Sequence, residues 1–364
     1  MRSLASIKSV AELQPIENKD RIELATIDGW HVIVKKGEFS VGDLCVYVEI
    51  DSVMPQRPEF EFLAKGNYRI KTMKMAGVIS QGICFPISII PSVPGHTQKF
   101  DEGRDVTELL SIRQYEATMD NDQGAGEPSK KGHTYPEFLM RWKWFRRIFC
   151  SQKENRGFPA FISKTDETRV QNMPWVLKDK RPWIATEKVD GQSGTFVLVR
   201  HHSKNPFRKD EYEYVVCSRN NRLWKKDDSS YWSVSDRYAI KEVLQQIIGQ
   251  NEWIAIQGEC VAPKVQKNKY HVKNPDLYVF NLITPSGRYG SIAAKAIVEQ
   301  RGMKFVPIIC PNYILPDTVD ELLTQAHGKS ELVDGLREGI VFRSCDGKQS
   351  FKAVDPLFLL KYDE

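Results

Sequence analysis

The chain lacks any apolar run near the roughly 20 residues that a membrane helix needs. No membrane partner is expected. Its cysteines, Cys45, Cys84, Cys150, Cys217, Cys260, Cys310 and Cys345, form no C-x-x-C pair and are odd in number. That argues against a zinc site or a disulfide framework and for reduced core thiols. The histidines are dispersed, and the adjacent His201 and His202 have no second ligand pair nearby, so they read as surface residues. With 23 glycines and 19 prolines the chain is neither collagen-like nor broadly disordered. The start, MRSLASIKSV, has neither the apolar core nor the Arg/Ser bias of a targeting segment. A cytoplasmic, monomeric protein is the expectation. No tandem repeat is visible.

What is present suits a globular enzyme or binding protein. A length of 364 residues suggests two or three domains, and 41% hydrophobic residues supply ample core. Lys+Arg 52 against Asp+Glu 47 gives a net charge of +5, a mild excess compatible with a polyanionic partner.

Residues 1–110 read as β-rich. DGWHVIVKKGEF places a turn at Asp28–Gly29, a run of β-branched alternation, and a second turn at Lys36–Gly37. VGDLCVYVEIDSVMP and RIKTMKMAGVISQGICFPIS supply further short strands. Closely spaced turns favour a small OB-type β-barrel. Residues 111–157 read as a linker or insertion. The stretch MDNDQGAGEPSKKG is polar and Gly-rich. Then Phe138, Trp142, Phe145 and Phe149 fall at helical spacing, with Arg141, Arg146 and Arg147 around them. This segment reads as a docking helix or a basic, aromatic contact for nucleic acid.

Residues 158–364 read as an α+β domain with a large sheet. Strands are expected at PWIATE, TFVLVR, EYVVCS, WIAIQGE, LYVFNLI, GIVFRS and SFKAV. RYAIKEVLQQIIG and SIAAKAIVEQRGM read as helices stopped at Gly249 and Gly302. Thr318 and Glu321 read as a capping box opening another helix.

Ionisable residues recur at or inside these apolar strands: Glu187 and Lys188, Arg219, Glu259, Glu338 and Lys352. A single charge at a strand end can simply face water. Several on neighbouring strands can instead converge on one cleft, because a buried ion needs a partner. A mixed set of cations and carboxylates would suit a metal-bound phosphate ligand. Within Glu187-Lys188-Val189-Asp190-Gly191, a lysine precedes a tight D-G turn. An ordinary lysine is neutral in only roughly one molecule in 2,500 at pH 7. To act as a nucleophile it must lose its proton, which nearby cations such as Lys352 or a metal ion would favour.

EKVDG, CSRN, QGE, VFN, EGIVFR and SFK, in that order, resemble the six nucleotidyltransferase motifs of covalent ligases and capping enzymes. FPAFISKTDETRVQNMP looks like the stretch preceding the active lysine of RNA ligases. With a β-rich module placed before the catalytic domain, the chain resembles ATP-dependent RNA ligases with an N-terminal OB domain. DNA ligases and capping enzymes carry theirs after it.

The resemblance implies that Lys188 attacks the α-phosphate of ATP, and that Asp190 and Glu338 hold a hydrated Mg²⁺ (or Mn²⁺). It gives Arg219 and Glu259 to ribose or phosphate, Phe280 and Val341 to opposite faces of adenine, Glu187 to the adenine edge through its backbone, and Lys352 to α-phosphate charge. Val189 lies between the nucleophile and the metal-binding carboxylate, at the nucleotide. RNA is the implied partner. Lys35, Lys36, Arg69, Lys71 and Lys74 on the first domain, with Arg141 and Arg146, are candidate RNA contacts. One departure stands out: many relatives have K-x-K in the last motif, whereas this chain has Lys352, Ala353 and Val354, with Lys361 as a substitute of unproven spacing. The alternatives are a GTP-using capping enzyme and a non-catalytic RNA-binding protein.

Overall fold

The computed structural model describes residues 3–91, 100–115, 157–203, 207, 209–225 and 229–362. The expected basic helix around Phe138 to Phe149, with Arg141, Arg146 and Arg147, lies outside the described residues, as does the polar stretch before it.

The N-terminal part is built from short strands: β1 (Ala5–Ser9), β2 (Glu12–Pro15), β3 (Ile22–Ile27), β4 (Trp30–Lys35), β5 (Leu44–Val48), β6 (Ser52–Val53), β7 (Arg69–Ile70), β8 (Met73–Met75), β9 (Val78–Ser80), β10 (Ile83–Pro86) and β11 (Arg113–Gln114). They pair as β1-β5-β10, β2-β3-β4, β11-β6-β7 and β8-β9. The expected turn at Asp28–Gly29 joins β3 to β4, with Asp28 in the left-handed region at φ 51°. Alternate residues of β4 point inward, so Trp30, Val32 and Val34 join Ile7, Val46 and Phe60 in one core.

The C-terminal part packs helices against two antiparallel sheets. Its strands are β12 (Trp183–Glu187), β13 (Gln192–His201), β14 (Glu211–Cys217), β15 (Arg222–Leu223), β16 (Trp253–Val261), β17 (Asp276–Thr284), β18 (Gly287–Arg288), β19 (Lys304–Phe305), β20 (Ile308–Tyr313), β21 (Gly339–Ser344) and β22 (Ser350–Val354). One sheet runs β15-β14-β13-β16-β17-β18, with β19 parallel to β17; the other runs β20-β12-β21-β22. All seven strands expected here form.

The helices are α1 (Ser230–Arg237), α2 (Ile240–Ile247), α3 (Ser291–Glu299), α4 (Val319–Ala326) and α5 (Pro356–Tyr362). The capping expected of Thr318 is present in its first half: its hydroxyl oxygen accepts the Glu321 N–H at 3.2 Å. Gly249 and Gly302 follow α2 and α3 with φ of 55° and 75°, as helix stops do. Helix α2 starts three residues later than the apolar pattern suggests, because Ala239 is left-handed at φ 46° and separates it from α1. Among the described residues, no helix is long and apolar enough to cross a membrane.

Each sheet turns one face to a helix-covered core and the other toward the cleft, where the larger sheet also carries a smaller apolar cluster of Val197, Val215 and Ala255 with Ile162. In β21, Ile340 and Phe342 go to the core with Trp183 and Phe351, which leaves Val341 and Arg343 on the cleft side. In the larger sheet Phe196, Ile254 and Ile256 pack against α1, α2 and α3. The N-terminal part docks on this second half. The Trp30 indole N–H donates to Asn172 Oδ1 at 2.6 Å, and Asn172 Nδ2 donates to Glu49 at 2.6 Å. His31 meets Asp320 at the start of α4 at 2.9 Å. The bond to Asp320 holds the His31 pKa above its ordinary value, against the opposing effect of burial.

Candidate active site

Lys188 follows the last residue of β12 and projects on the same side as Ile184 and Thr186, into the cleft. Its Nζ lies 2.6 Å from Glu338 Oε2, and Glu338 directly precedes β21. Two glycines permit the close approach of these segments. A Cβ on Gly191 would sit 2.4 Å from the Cys260 carbonyl oxygen, and one on Gly339 would sit 2.2 Å from that of Ala353. The D-G and E-G pairs are therefore packing requirements as well as turn signals. The Gly191 N–H donates to Glu259 Oε1 at 3.2 Å, which brings the β16 carboxylate beside the lysine.

Lys188, Asp190, Glu259 and Glu338 thus form one electrostatic unit. Burial acts to lower the Lys188 pKa, but Glu338, Glu259 and Asp190 together raise it above the ordinary lysine value. This reverses the direction that nearby cations would impose, because the amine's neighbours in this state are carboxylates. Burial, reinforced by Glu338 and Asp190 against the pull of Lys188, raises Glu259 to about 7. Burial and Glu338 raise Asp190 to about 6 against the pull of Lys269 and Lys188. Glu259 and Asp190 hold their protons more tightly than usual because burial leaves them poorly hydrated and neighbouring carboxylates crowd them.

Two residues that the motif reading missed hold Asp190. Lys269 pairs with its carboxylate, and the Asp190 N–H donates to the Tyr270 hydroxyl at 2.8 Å. The Lys269 ammonium also lies 4.5 Å from the Phe358 ring centre and 4.9 Å from that of Tyr362. Both lie far along the chain from EKVDG in an irregular loop, so no periodicity marked them.

The segment Lys164–Arg169 is an irregular strap across the cleft that leads into a single 3-10 turn at Val170–Asn172. Lys164 donates to Asn220 at 3.0 Å, and the Thr165 and Ser193 hydroxyls are hydrogen-bonded. Asp166 accepts from Arg219 at 2.8 Å and from Lys352 at 3.3 Å. Glu167 accepts the Ser350 hydroxyl and lies 3.6 Å from Arg343. The Thr168 carbonyl takes the Lys352 N–H at 2.8 Å. Arg219 and Lys352, read from two distant motifs, therefore converge on one carboxylate.

The Glu187 side chain points away from the cleft. Only 1% exposed, it accepts the Ser330 hydroxyl and the Glu331 N–H at 2.8 Å, and its own N–H donates to the Pro307 carbonyl at 2.9 Å. Burial raises its pKa, opposed by those hydrogen bonds. Val189 turns into the core under the larger sheet.

Phe280 on β17 and Val341 on β21 belong to the two facing sheets. Arg343 reaches across, its guanidinium 5.6 Å from the Phe280 ring centre. Only 3% exposed, Arg343 donates to Thr186 Oγ1 at 3.1 Å, and burial lowers its pKa to about 10. Val354 is buried beside Gly339, and Lys361 is exposed on α5 with its amine over Tyr362.

Of the candidate RNA contacts, Lys35, Lys36 and Lys74 are exposed and Lys71 half-buried. Arg69 is committed to Asp51 at 3.3 Å and to the Tyr115 ring at 3.7 Å. Arg141 and Arg146 fall outside the described residues. Among the described residues no three His, Cys, Asp or Glu side chains form a ready-made metal cage. Asp190 and Glu338 offer the hard oxygen donors that a hydrated divalent cation accepts through water.

Residues 4–87 match the family model of an OB-fold domain, and residues 181–362, half of the chain, match that of RNA ligase. No curated protein matches. Among solved structures, the chain is similar to the Naegleria gruberi RNA ligase with PPi, at 29% identity and a TM-score of 0.79, covering 100% of this chain and 99% of that one. A mutant of that ligase with ATP and Mn aligns at 29% identity and a TM-score of 0.80, covering 100% and 99%. Another mutant, with AMP and Mn, aligns at 29% identity and a TM-score of 0.78, covering 100% and 99%.

Proposed function

This chain belongs to the RNA ligase family, and from that premise we propose that it joins RNA 3′-hydroxyl and 5′-phosphate ends with ATP, sealing nicks in RNA repair. Lys188 is the nucleophile. Its amine attacks the α-phosphorus of ATP, a P–N bond forms, and pyrophosphate leaves. The RNA 5′-phosphate then takes the adenylate from Lys188. Finally a 3′-hydroxyl attacks that phosphate and AMP departs. Chemistry of this kind depends on positioning and on neutralising phosphate charge.

The observation that carries the reading is the convergence of Lys188, Asp190, Glu259 and Glu338 beside a cation pair, Arg219 and Lys352. The Asp166 carboxylate stands in for phosphate oxygens between those cations. Asp190 and Glu338 would hold Mg²⁺ or Mn²⁺ through water, and the bound ion supplies positive charge at the α-phosphate. The remaining work falls to the chain's own residues: Arg219 and Glu259 contact ribose or phosphate, Phe280 and Val341 sandwich adenine, Glu187 meets the adenine edge through its backbone with Val189 beside it at the nucleotide, and Lys352 neutralises the α-phosphate. We assign residues 1–110 to the OB domain, 111–157 to a linker with a basic aromatic element, and 158–364 to the nucleotidyltransferase domain. Lys35, Lys36, Lys71 and Lys74 on the first, with Arg141 and Arg146 in the second, would meet RNA phosphates.

Intact-mass measurement tests this. ATP with a divalent cation should add one AMP to the protein, GTP should add nothing, and Lys188→Ala should remove the adduct. Normal labelling of that variant would refute the assignment of the nucleophile. Labelling by GTP in place of ATP would favour a capping-type enzyme.

A further inference from the structure

The loop between β16 and β17 carries a charge pattern that the six motifs do not use. From Pro263 to Pro275 it holds Lys264, Lys267, Lys269, Lys273 and His271, and no Asp or Glu. Lys269 and Tyr270 turn inward to Asp190, the first through its ammonium and the second through its hydroxyl. Lys264, Lys267, His271 and Lys273 are exposed. Among the described residues, none of these four appears in an ion pair.

The loop has a defined shape. The Asn268 side chain closes it on both sides of Val272, donating to the Val272 carbonyl at 3.0 Å and accepting the Val272 N–H at 2.9 Å. Gln266, Lys267, Asn268 and His271 adopt φ of 48°, 55°, 51° and 50°. Its outward cations are therefore presented from a backbone tied to the residue two places after Lys188.

We infer that the outward face of this loop is the docking surface for the RNA phosphate backbone beside the 5′-phosphate end, an inference that rests on the proposed ligase reaction. A charge run on a loop is ordinarily just solvated. This one is tied through Lys269 and Tyr270 to Asp190 in a cleft whose own cations, Lys188, Arg219 and Lys352, are already paired with the carboxylates of Glu338 and Asp166. An RNA end that must reach Lys188 needs further cations at the mouth of that cleft. The net charge of the whole chain is only +5, so a local cluster, and not the overall field, must supply the attraction. The unpaired lysines of this loop meet that need, and its lack of carboxylates leaves their charge uncancelled.

The full-length protein tests the inference. Fluorescence anisotropy with a nicked RNA duplex, across a salt series and without ATP, compares wild type with a Lys264→Ala/Lys267→Ala/Lys273→Ala variant. Each lost phosphate contact should remove nearly one from the log–log salt slope, so the triple variant should lose about 2 to 3 and bind roughly tenfold more weakly at low salt. A Lys264→Arg/Lys267→Arg/Lys273→Arg variant, which keeps the charge, should bind like wild type. Self-adenylylation by ATP should be equal in all three proteins. Unchanged affinity and slope in the alanine variant would overturn the inference.

A second readout needs no variant. Bound RNA should shield Lys264, Lys267 and Lys273 of the wild-type protein from acetylation by an N-hydroxysuccinimide ester, read by peptide mass. Equal acetylation with and without RNA would overturn it, as would shielding by polyglutamate but not by RNA. Failure of wild type to take up AMP would count against the ligase reaction itself, a separate result from these binding readouts.

Discussion

The Lys188 ammonium and the Glu338 carboxylate form an ion pair at 2.6 Å, and that pair holds the amine in its protonated, unreactive form. Burial alone would lower the Lys188 pKa, yet Glu338 and its neighbours raise it. The neutral fraction at a given pH is therefore below that of an ordinary lysine. Glu338→Gln removes the largest of the charges that oppose burial. In metal-free protein at pH 8, Lys188 of that variant should react several-fold faster with an amine-acylating reagent, read by peptide mass. Equal rates would show that the pair does not control the amine. Self-adenylylation of the same variant should fall, since Glu338 is also a proposed metal carboxylate.

Glu259 gives a pH signature in stability. Its folded pKa of about 7 lies above the ordinary carboxyl value of 4.5. Between those values the native state binds more protons than the unfolded chain, so this group's contribution to stability falls as pH rises. Above the folded pKa the carboxylate is ionised in a crowded, negative site. Glu259→Gln keeps an oxygen for the Gly191 N–H and removes the charge. The variant should be more stable than wild type at pH 8, by about 1–2 kcal/mol, and nearly equal at pH 5. Thermal unfolding at the two pH values checks this, and a lower Tm at pH 8 would contradict it.

Asp166 occupies the cation pair that the proposed reaction needs for phosphate. ATP must compete with this carboxylate for Arg219 and Lys352. Asp166→Asn keeps the shape and weakens the competitor. The apparent KM for ATP in self-adenylylation should fall about threefold to tenfold. A raised KM would mean that Asp166 positions the cations more than it blocks them.

Much of this site was legible because its residues sit on strands whose apolar runs are unambiguous. Trp183–Glu187, Gly339–Ser344 and Ser350–Val354 form at the expected positions, so the charges at their ends or inside them, Lys188, Glu338 and Lys352, stand out against the apolar runs. Arg343 was visible within GIVFRS, but its burial depends on a second sheet closing over it, which alternation in one strand does not report. Strand β20, with its exposed Pro311 and Asn312, carries too weak an apolar pattern to stand out. Lys269, Tyr270 and Asp166 come from irregular segments. Their contacts are set by how loops fold across the cleft, and residue spacing carries no signal for that. The EKVDG glycine was read as a turn, whereas its close approach to Cys260 is a property of the packed pair of strands.

The N-terminal part reaches the same site through the strap. Arg169 is only 6% exposed, and its guanidinium lies 3.3 Å from Asp51 on the first domain and 5.9 Å from the Trp30 ring centre. One residue earlier, the Thr168 carbonyl fixes the backbone of Lys352. Asp51→Ala leaves a buried cation without this carboxylate, and it also removes the partner of Arg69. Breaking a fully buried pair costs several kcal/mol; because Asp51 is 28% exposed, a loss of about 2 kcal/mol is expected. Adding Arg169→Met should recover part of that loss, since the stranded charge goes with it. The Asp51→Ala protein should also show a raised KM for ATP, because the strap that anchors Lys352 is loosened. Thermal unfolding of the two single variants and the double variant, with ATP kinetics for each, measures both effects. Additive losses in the double variant, or an unchanged KM, would separate the first domain from the nucleotide site.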